Sequence, residues 1–250
     1  ERYNYPGIFW FLTVLSVLLL FGNLFCFPRS HSEKKTNLSA GSLLSHYKDI
    51  FKNRAGNAVL ILSYLIFFIY FSMIVYLPIL LTDHYHLDLQ IVGLLYLPIA
   101  VSTIAGSVLF KWIQKRLSLR RLFLIGNLTA AGSVVCFAFS HLFSLFAMSA
   151  ALVLFGVTMG LIPPLFSTMM ANEFEENRGS AMGMFNFIRY TGMACGPVIS
   201  GMLLGMSSSV FVFGCFGIVY AAAALLMTAV MRKAAHTKTL QEPNKKAARS

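Results

Sequence analysis

Seven times along this chain an apolar run reaches about twenty residues, the length that crosses about 30 Å of hydrocarbon as a helix. The runs are 6–27, 57–81, 89–110, 122–140, 143–170, 182–206 and 210–231. In lipid a backbone amide has no water to bond to, so a spanning segment must be a helix or part of a closed barrel. Barrel strands alternate polar and apolar residues, and these runs do not. The expected fold is therefore all-α and integral to the membrane, with seven transmembrane helices. Composition agrees: 57% of residues are hydrophobic and 12% are charged, whereas a soluble domain is about a quarter charged.

Lysine and arginine give the orientation, because cytosolic loops carry the excess of both. Six of them occupy 28–56, five lie between Lys111 and Arg121, Arg178 precedes the sixth run, and six lie in the tail from Arg232 to Arg249. If the helices simply alternate, all of these fall on one side. Of the 20 basic residues, Arg2 lies opposite and Arg189 lies inside a span. The expected layout has an exterior start, a cytosolic C-terminus and a multi-pass location in a bacterial inner or plasma membrane. The net charge of +11 then reflects contact with anionic lipid headgroups and calls for no nucleic acid. Cys26, Cys136, Cys195 and Cys215 all fall in apolar runs with no close pairing, which reads as packing, not a metal or disulfide framework.

Four parts are expected along the chain: one helix at 1–27, a polar cytosolic segment at 28–56, a six-helix bundle at 57–231 and a basic tail at 232–250. In the polar segment, "LLSHYKDIF" places Leu43, Leu44, Tyr47, Ile50 and Phe51 on one face, as an amphipathic helix lying on the inner membrane surface would. The tail is polar enough to be disordered.

The sixth run is the unusual one. "RGSAMGMFNFIRYTGMACGPVISG", residues 178–201, carries an arginine in its middle and glycines at Gly183, Gly192, Gly196 and Gly201. Gly192 and Gly196 share a helix face and permit close approach by a neighbour. Pro197 removes one backbone hydrogen bond and offers a place to bend. Arg189 lies 11 residues beyond Arg178, about 16 Å along a helix, where an unpaired charge costs several kcal/mol. It must therefore face protein or water. Two readings are open: a bond to backbone carbonyls or to a carboxylate outside this chain, or contact with substrate or a coupling proton. Asn186 lies one turn before it.

This spacing resembles the antiporter motif of the major facilitator superfamily, G-x8-G-x3-G-P-x2-G-G, with Ser200 replacing the first glycine of the final pair. The weaker copy of that motif belongs to helix 11 of the family, and "GVTMGLIPP" in the preceding run resembles helix 10. "FKWIQKRLSLRRL" is similar to the family's basic loop between helices 8 and 9, keeping the pair Arg120 and Arg121. The resemblance implies that the chain is the C-terminal part of such a transporter, helices 6 to 12, with the N-terminal helices as a missing partner half.

The family's fold gives particular residues expected roles. Helices 7 and 10 line the central cavity, so Tyr64, Phe67, Phe68 and Phe71, an aromatic stripe, and Met148 and Met159 become candidates for an adaptable apolar substrate path; plain packing is the competing reading of the stripe. Gly183, Gly192, Gly196, Pro197 and Gly201 form the helix 11 motif, expected to act as a bendable pivot. Lys115, Arg116, Arg120 and Arg121 would take part in gating contacts at the cytosolic side. The loop "TDHYHLD" gathers Asp83, His84, His86 and Asp88, which solvated loop residues explain without a metal.

No Gly-x-x-x-x-Gly-Lys-Ser/Thr loop occurs, no Ser-His-Asp grouping appears in the spans, and none of the seven runs contains an acid. ATP-driven transport and membrane enzymology are thus unsupported. The expected function is proton-coupled efflux of lipophilic drugs or toxic compounds by alternating access, with the proton gradient as energy source and no cofactor. A carrier for sugars or small metabolites is the nearest alternative. A seven-helix receptor is more remote, lacking Asp/Glu-Arg-Tyr and Asn-Pro-x-x-Tyr.

Overall fold

The computed structural model describes residues 5–26, 48, 50–83, 85–140 and 142–247. It contains seven long helices: α1 (Tyr5–Cys26), α2 (Arg54–Asp83), α3 (Leu89–Ile113), α4 (Leu119–Ser140), α5 (Leu145–Glu173), α6 (Arg178–Met206) and α7 (Ser209–Ala247). No strand occurs among the described residues. Six helices, α2 to α7, are long and apolar enough to cross a membrane, and α1 adds a shorter apolar helix at 9–25. The protein is all-α and integral to the membrane.

Two units divide the chain, 1–39 and 40–250, and the division falls within the polar segment. In the first unit α1 absorbs its own polar side chains: Thr13, Ser16 and Asn23 each donate to the carbonyl four residues earlier. That leaves an apolar cylinder fit for lipid.

The second unit is a bundle whose main contacts skip chain neighbours. α2 packs on α6, α3 on α5 and α4 on α7, with α4–α5 and α2–α7 next in extent. Exchanging α2 with α5, α3 with α6 and α4 with α7 maps this pattern onto itself. Each triplet contains an odd number of spans, so the two copies run in opposite directions through the bilayer. The bundle is an inverted repeat.

Glycines set the closest contacts in the repeat-related pairs. In α3–α5, a Cβ at Gly106 would lie 2.1 Å from the Val157 carbonyl oxygen, and one at Gly160 would lie 2.0 Å from that of Thr103. In α2–α6, Gly192 and Gly196 meet the carbonyls of Tyr64 and Phe68 at 2.4 and 2.3 Å from the same virtual atom. Van der Waals packing between helices holds such pairs together in lipid, where burial from water supplies no force.

Prolines create the complementary demand. Pro78 has no N–H for the carbonyl of Ile74, and Pro164 has none for that of Gly160. Both carbonyls are met from α3: Tyr96 donates its hydroxyl to Ile74 O at 2.8 Å, and Ser107 Oγ lies 3.0 Å from Gly160 O. The Gly106–Gly160 approach is what brings Ser107 within reach. A backbone group released in a bilayer costs several kcal/mol if left alone, and a second helix removes that cost here.

Helix starts are fixed by small caps. Asn53 Oδ1 accepts from the amides of Ala55 and Gly56 at 2.9 and 3.0 Å, and Ser144 Oγ accepts from Ala147 at 3.1 Å, each satisfying otherwise orphaned donors.

Two expectations are revised or narrowed. The tail was expected to be disordered, yet α7 continues to Ala247. Once a membrane span has nucleated the helix, extension costs no new nucleus, and Ala, Lys, Leu, Gln and Glu among the residues up to Pro243 are good helix formers. In the amphipathic segment, Leu43, Leu44 and Tyr47 lie outside the described residues; Ile50 is buried and Phe51 half exposed, so the two do not share one environment.

Tyr96→Phe strands the Ile74 carbonyl and should destabilise the bundle by about 1 kcal/mol. Gly160→Ala pushes a methyl into backbone and should cost about 1–3 kcal/mol. Thermal unfolding in mild detergent checks both; Gly132→Ala, which meets nothing within 4 Å, should leave the midpoint where it is.

Candidate functional site

The α2–α6 seam positions the charge at the middle of a span, Arg189. Because Gly192 and Gly196 lie against the backbone at Tyr64 and Phe68, the preceding turn of α6 is pressed onto the next aromatic of α2. Arg189 Cζ sits 5.2 Å from the ring centre of Phe67, 5.7 Å from Phe185 and 4.9 Å from Tyr190. Guanidinium over an aromatic face is attracted by the ring quadrupole, more strongly when desolvated. Nη2 donates to Tyr190 Oη at 3.1 Å. Nε, by contrast, is buried and has no hydrogen-bond partner.

An unsatisfied buried donor on a permanent cation is a costly arrangement. Rings stabilise the charge but cannot accept the N–H. One N–H of Arg189 is thus left without an acceptor among the described residues. Asn186 is half-buried one turn away.

The expected aromatic stripe is split by the structure. Phe67 lies under Arg189, while Phe68 joins a ladder: Tyr64 at 6.2 Å and Phe216 at 5.3 Å, then Phe216 to Phe213 at 6.0 Å and Phe213 to Phe137 at 5.4 Å. Phe71 packs edge-on to Tyr70 at 5.5 Å, and Tyr70 leads on to Phe155. Met148 and Met159 are 0% and 4% exposed, packed in the core of the bundle with no open face. Of the helix 11 motif, Gly192 and Gly196 make the seam, whereas Gly183 and Gly201 meet nothing within 4 Å. Pro197 sits inside an unbroken α6, and Ser200, the departure from the motif, is buried with its hydroxyl donating to Pro197 O at 3.3 Å.

Some residues that matter to the site carried only a faint sequence signal. Tyr190 and Phe185 flank Arg189 at i+1 and i−4, and any aromatic near a membrane arginine was a candidate cage wall. Asn127 and Tyr220 hydrogen-bond each other in the fully buried α4–α7 contact, a lone amide and a lone phenol in two apolar runs. Asn53 reaches across from the start of α2 to Glu173 Oε1 at the end of α5, 2.8 Å away, and Arg178 Nε donates to Ala171 O. These tie together the ends of α2, α5 and α6.

The basic residues expected to gate together part company. Lys115 and Arg116, just after α3, line an open groove beside Lys111 and Trp112; Arg120 and Arg121, in the first turn of α4, line a separate cavity with Thr228, Met231 and Arg232 of α7. In the loop after α2, His84 lies outside the described residues, and His86 takes a left-handed backbone with φ of 50°. No group of three or more potential metal ligands forms among the described residues.

Comparison with known proteins decides the family. The model of the Major Facilitator Superfamily matches residues 1–194 and again 99–250, together the whole chain. The chain belongs to the major facilitator superfamily. Among curated relatives, the uncharacterized MFS-type transporter YwoD of Bacillus subtilis (strain 168) is 27% identical over 195 residues, 76% of this chain and 43% of that protein. The uncharacterized MFS-type transporter YceJ of the same organism is 25% identical over 170 residues, 66% of this chain and 42% of its own length. The chain thus spans less than half of the relatives it matches. As a member of the superfamily it is a multi-pass membrane protein, and its inverted repeat is the three-plus-three arrangement found within each half of such proteins.

Gly192→Ala and Gly196→Ala should each lift α6 off α2, lowering thermal stability by about 1–3 kcal/mol. The loss of stability should be accompanied by weaker quenching of a tryptophan placed at Phe67→Trp, since Arg189 moves with α6. Gly183→Ala and Gly201→Ala should change neither reading.

Proposed function

We propose that this chain is the C-terminal part, helices 6 to 12, of a secondary transporter that expels lipophilic compounds in exchange for protons by alternating access. The observation that carries the transport reading is a mismatch in α6. Of the six spans it has the lowest mean hydropathy, and only 17% of its central residues are buried, against 56% in α2, α4 and α5. A helix facing lipid should be the most apolar of the bundle. The open face of α6, with Tyr190 exposed and Asn186 half-buried beside Arg189, is suited to water or to another protein surface.

In this reading the open face of α6 lines the path between this bundle and the N-terminal half. Arg189 supplies a fixed positive charge on that path, and its buried Nε takes an acceptor from the other half. A carboxylate there would pair with Arg189 when ionised and let go when protonated, because the opposite charge nearby favours the ionised form. That exchange links proton movement to the position of the two halves. The aromatic ladder from Tyr64 to Phe216 offers an apolar wall to a lipophilic solute. Because the charge is positive, a small carboxylate metabolite is the second candidate cargo, with Arg189 as its direct partner.

The test is transport by the protein expressed from its complete reading frame in proteoliposomes bearing a proton gradient. Labelled tetraphenylphosphonium should accumulate in a manner abolished by a protonophore. Arg189→Gln should slow it by about tenfold or more, equivalent to about 1.4 kcal/mol, and Arg189→Lys should restore only part. Uptake no faster than in empty liposomes sinks the efflux reading; movement of a labelled carboxylate instead would assign the metabolite carrier. A reporter fused after Ser250 should be active only in the cytosol, as the loop charges require.

A further inference from the structure

A cavity of about 300 Å³ opens between the start of α4 and the stretch of α7 around Thr228 to Arg232. Its rim carries Arg120, Arg121 and Arg232, and its floor is made by Phe123, Leu124 and Met231. Phe123 and Met231 are 1% and 8% exposed, so the floor is built into the bundle and is not a loose fold of surface. Two of the arginines are chain neighbours at the start of α4, and the third, Arg232, comes from α7 more than a hundred residues later. Among the described residues none of the three forms an ion pair or a hydrogen bond through its side chain.

A count of positive residues on one side of a membrane is explained by topology alone. The gathering of three arginines from two helices around one apolar cavity is not. Each guanidinium offers five N–H donors in a fork that fits phosphate oxygens in pairs. Beside the rim, Ile125 continues the apolar surface along α4 and is half exposed. Trp112, at the same end of the bundle on α3, is 68% exposed, as a tryptophan at the membrane–water interface is. The cavity is therefore at headgroup depth, with its apolar side running toward the hydrocarbon.

We propose that this cavity is a binding site for an anionic phospholipid. The phosphodiester is held by Arg120, Arg121 and Arg232, and the first part of an acyl chain lies along Leu124 and Ile125. The shared chemistry is a phosphate group, but a soluble phosphate has no use for the apolar floor, whereas a lipid matches both ends. Bound there, the lipid would bridge α4 and α7, whose own contact is held by the buried Asn127–Tyr220 hydrogen bond.

The protein from its complete reading frame, purified in mild detergent, is titrated with dioleoylphosphatidylglycerol, dioleoylphosphatidylcholine and free glycerol phosphate. Native mass spectrometry counts bound lipid, and the unfolding midpoint reports its effect. Phosphatidylglycerol should bind at least about tenfold more tightly than phosphatidylcholine and raise the midpoint. The combined Arg120→Gln, Arg121→Gln, Arg232→Gln variant should lose that preference, and the single Arg232→Gln, at an exposed position, should lose part of it even if the triple variant is poorly folded. Lys115→Gln with Arg116→Gln, on the separate α3 groove, should keep it. Equal binding of the two lipids, full retention in Arg232→Gln, or equal loss in the Lys115 and Arg116 variant overturns the site. Glycerol phosphate that displaces the lipid with the same affinity assigns the cavity to a soluble anion and overturns the lipid.

Discussion

The bundle depends on backbone carbonyls that lipid cannot satisfy. Pro78 and Pro164 each release one, and α3 answers both, through Tyr96 and Ser107. The Ser107 bond exists only because Gly106 and Gly160 let α3 and α5 approach until a single methyl would collide with backbone. Glycine and proline, which disrupt helices in water, here act together. The proline makes a polar group available and the glycine brings the neighbour that needs to meet it. A bend can form at such a point without losing a hydrogen bond to the bilayer.

The same device recurs in the pseudo-symmetric copy with a different outcome. In α2–α6, Gly192 and Gly196 meet carbonyls of α2, and what the close approach delivers is Arg189 onto Phe67. One of the two symmetry-related helix pairs thus places a hydroxyl on a released carbonyl, and the other places a cation on an aromatic ring. The unsatisfied Nε of Arg189 is the point where the bundle is incomplete by itself. It lies on the helix that is least buried and least apolar among the spans.

Much of the architecture was legible because period and length leave few choices in a membrane. Apolar runs of spanning length gave the helices from α1 to α6 to within a few residues and the start of α7, and the glycine spacing around Gly192 and Gly196 gave the face of α6 that packs. At Gly183 and Gly201 of the same motif an added methyl would meet nothing within 4 Å among the described residues, because spacing reports a shared face and not the presence of a partner. Met148 and Met159 were attractive as an adaptable wall, yet they are packed in the core. The tail looked unable to fold alone, and α7 carried it into helix by continuity.

Sequence alone therefore settles the helical membrane class and the presence of a mid-span arginine, since the bilayer admits few backbone solutions and every residue reports its polarity. Tertiary structure alone decides which helices meet. Nothing in the runs of α4 and α7 announces that Asn127 and Tyr220 pair, or that Arg120, Arg121 and Arg232 close on one cavity. Those pairings depend on crossing positions set by small residues on several helices at once, and no periodicity within a single segment records them.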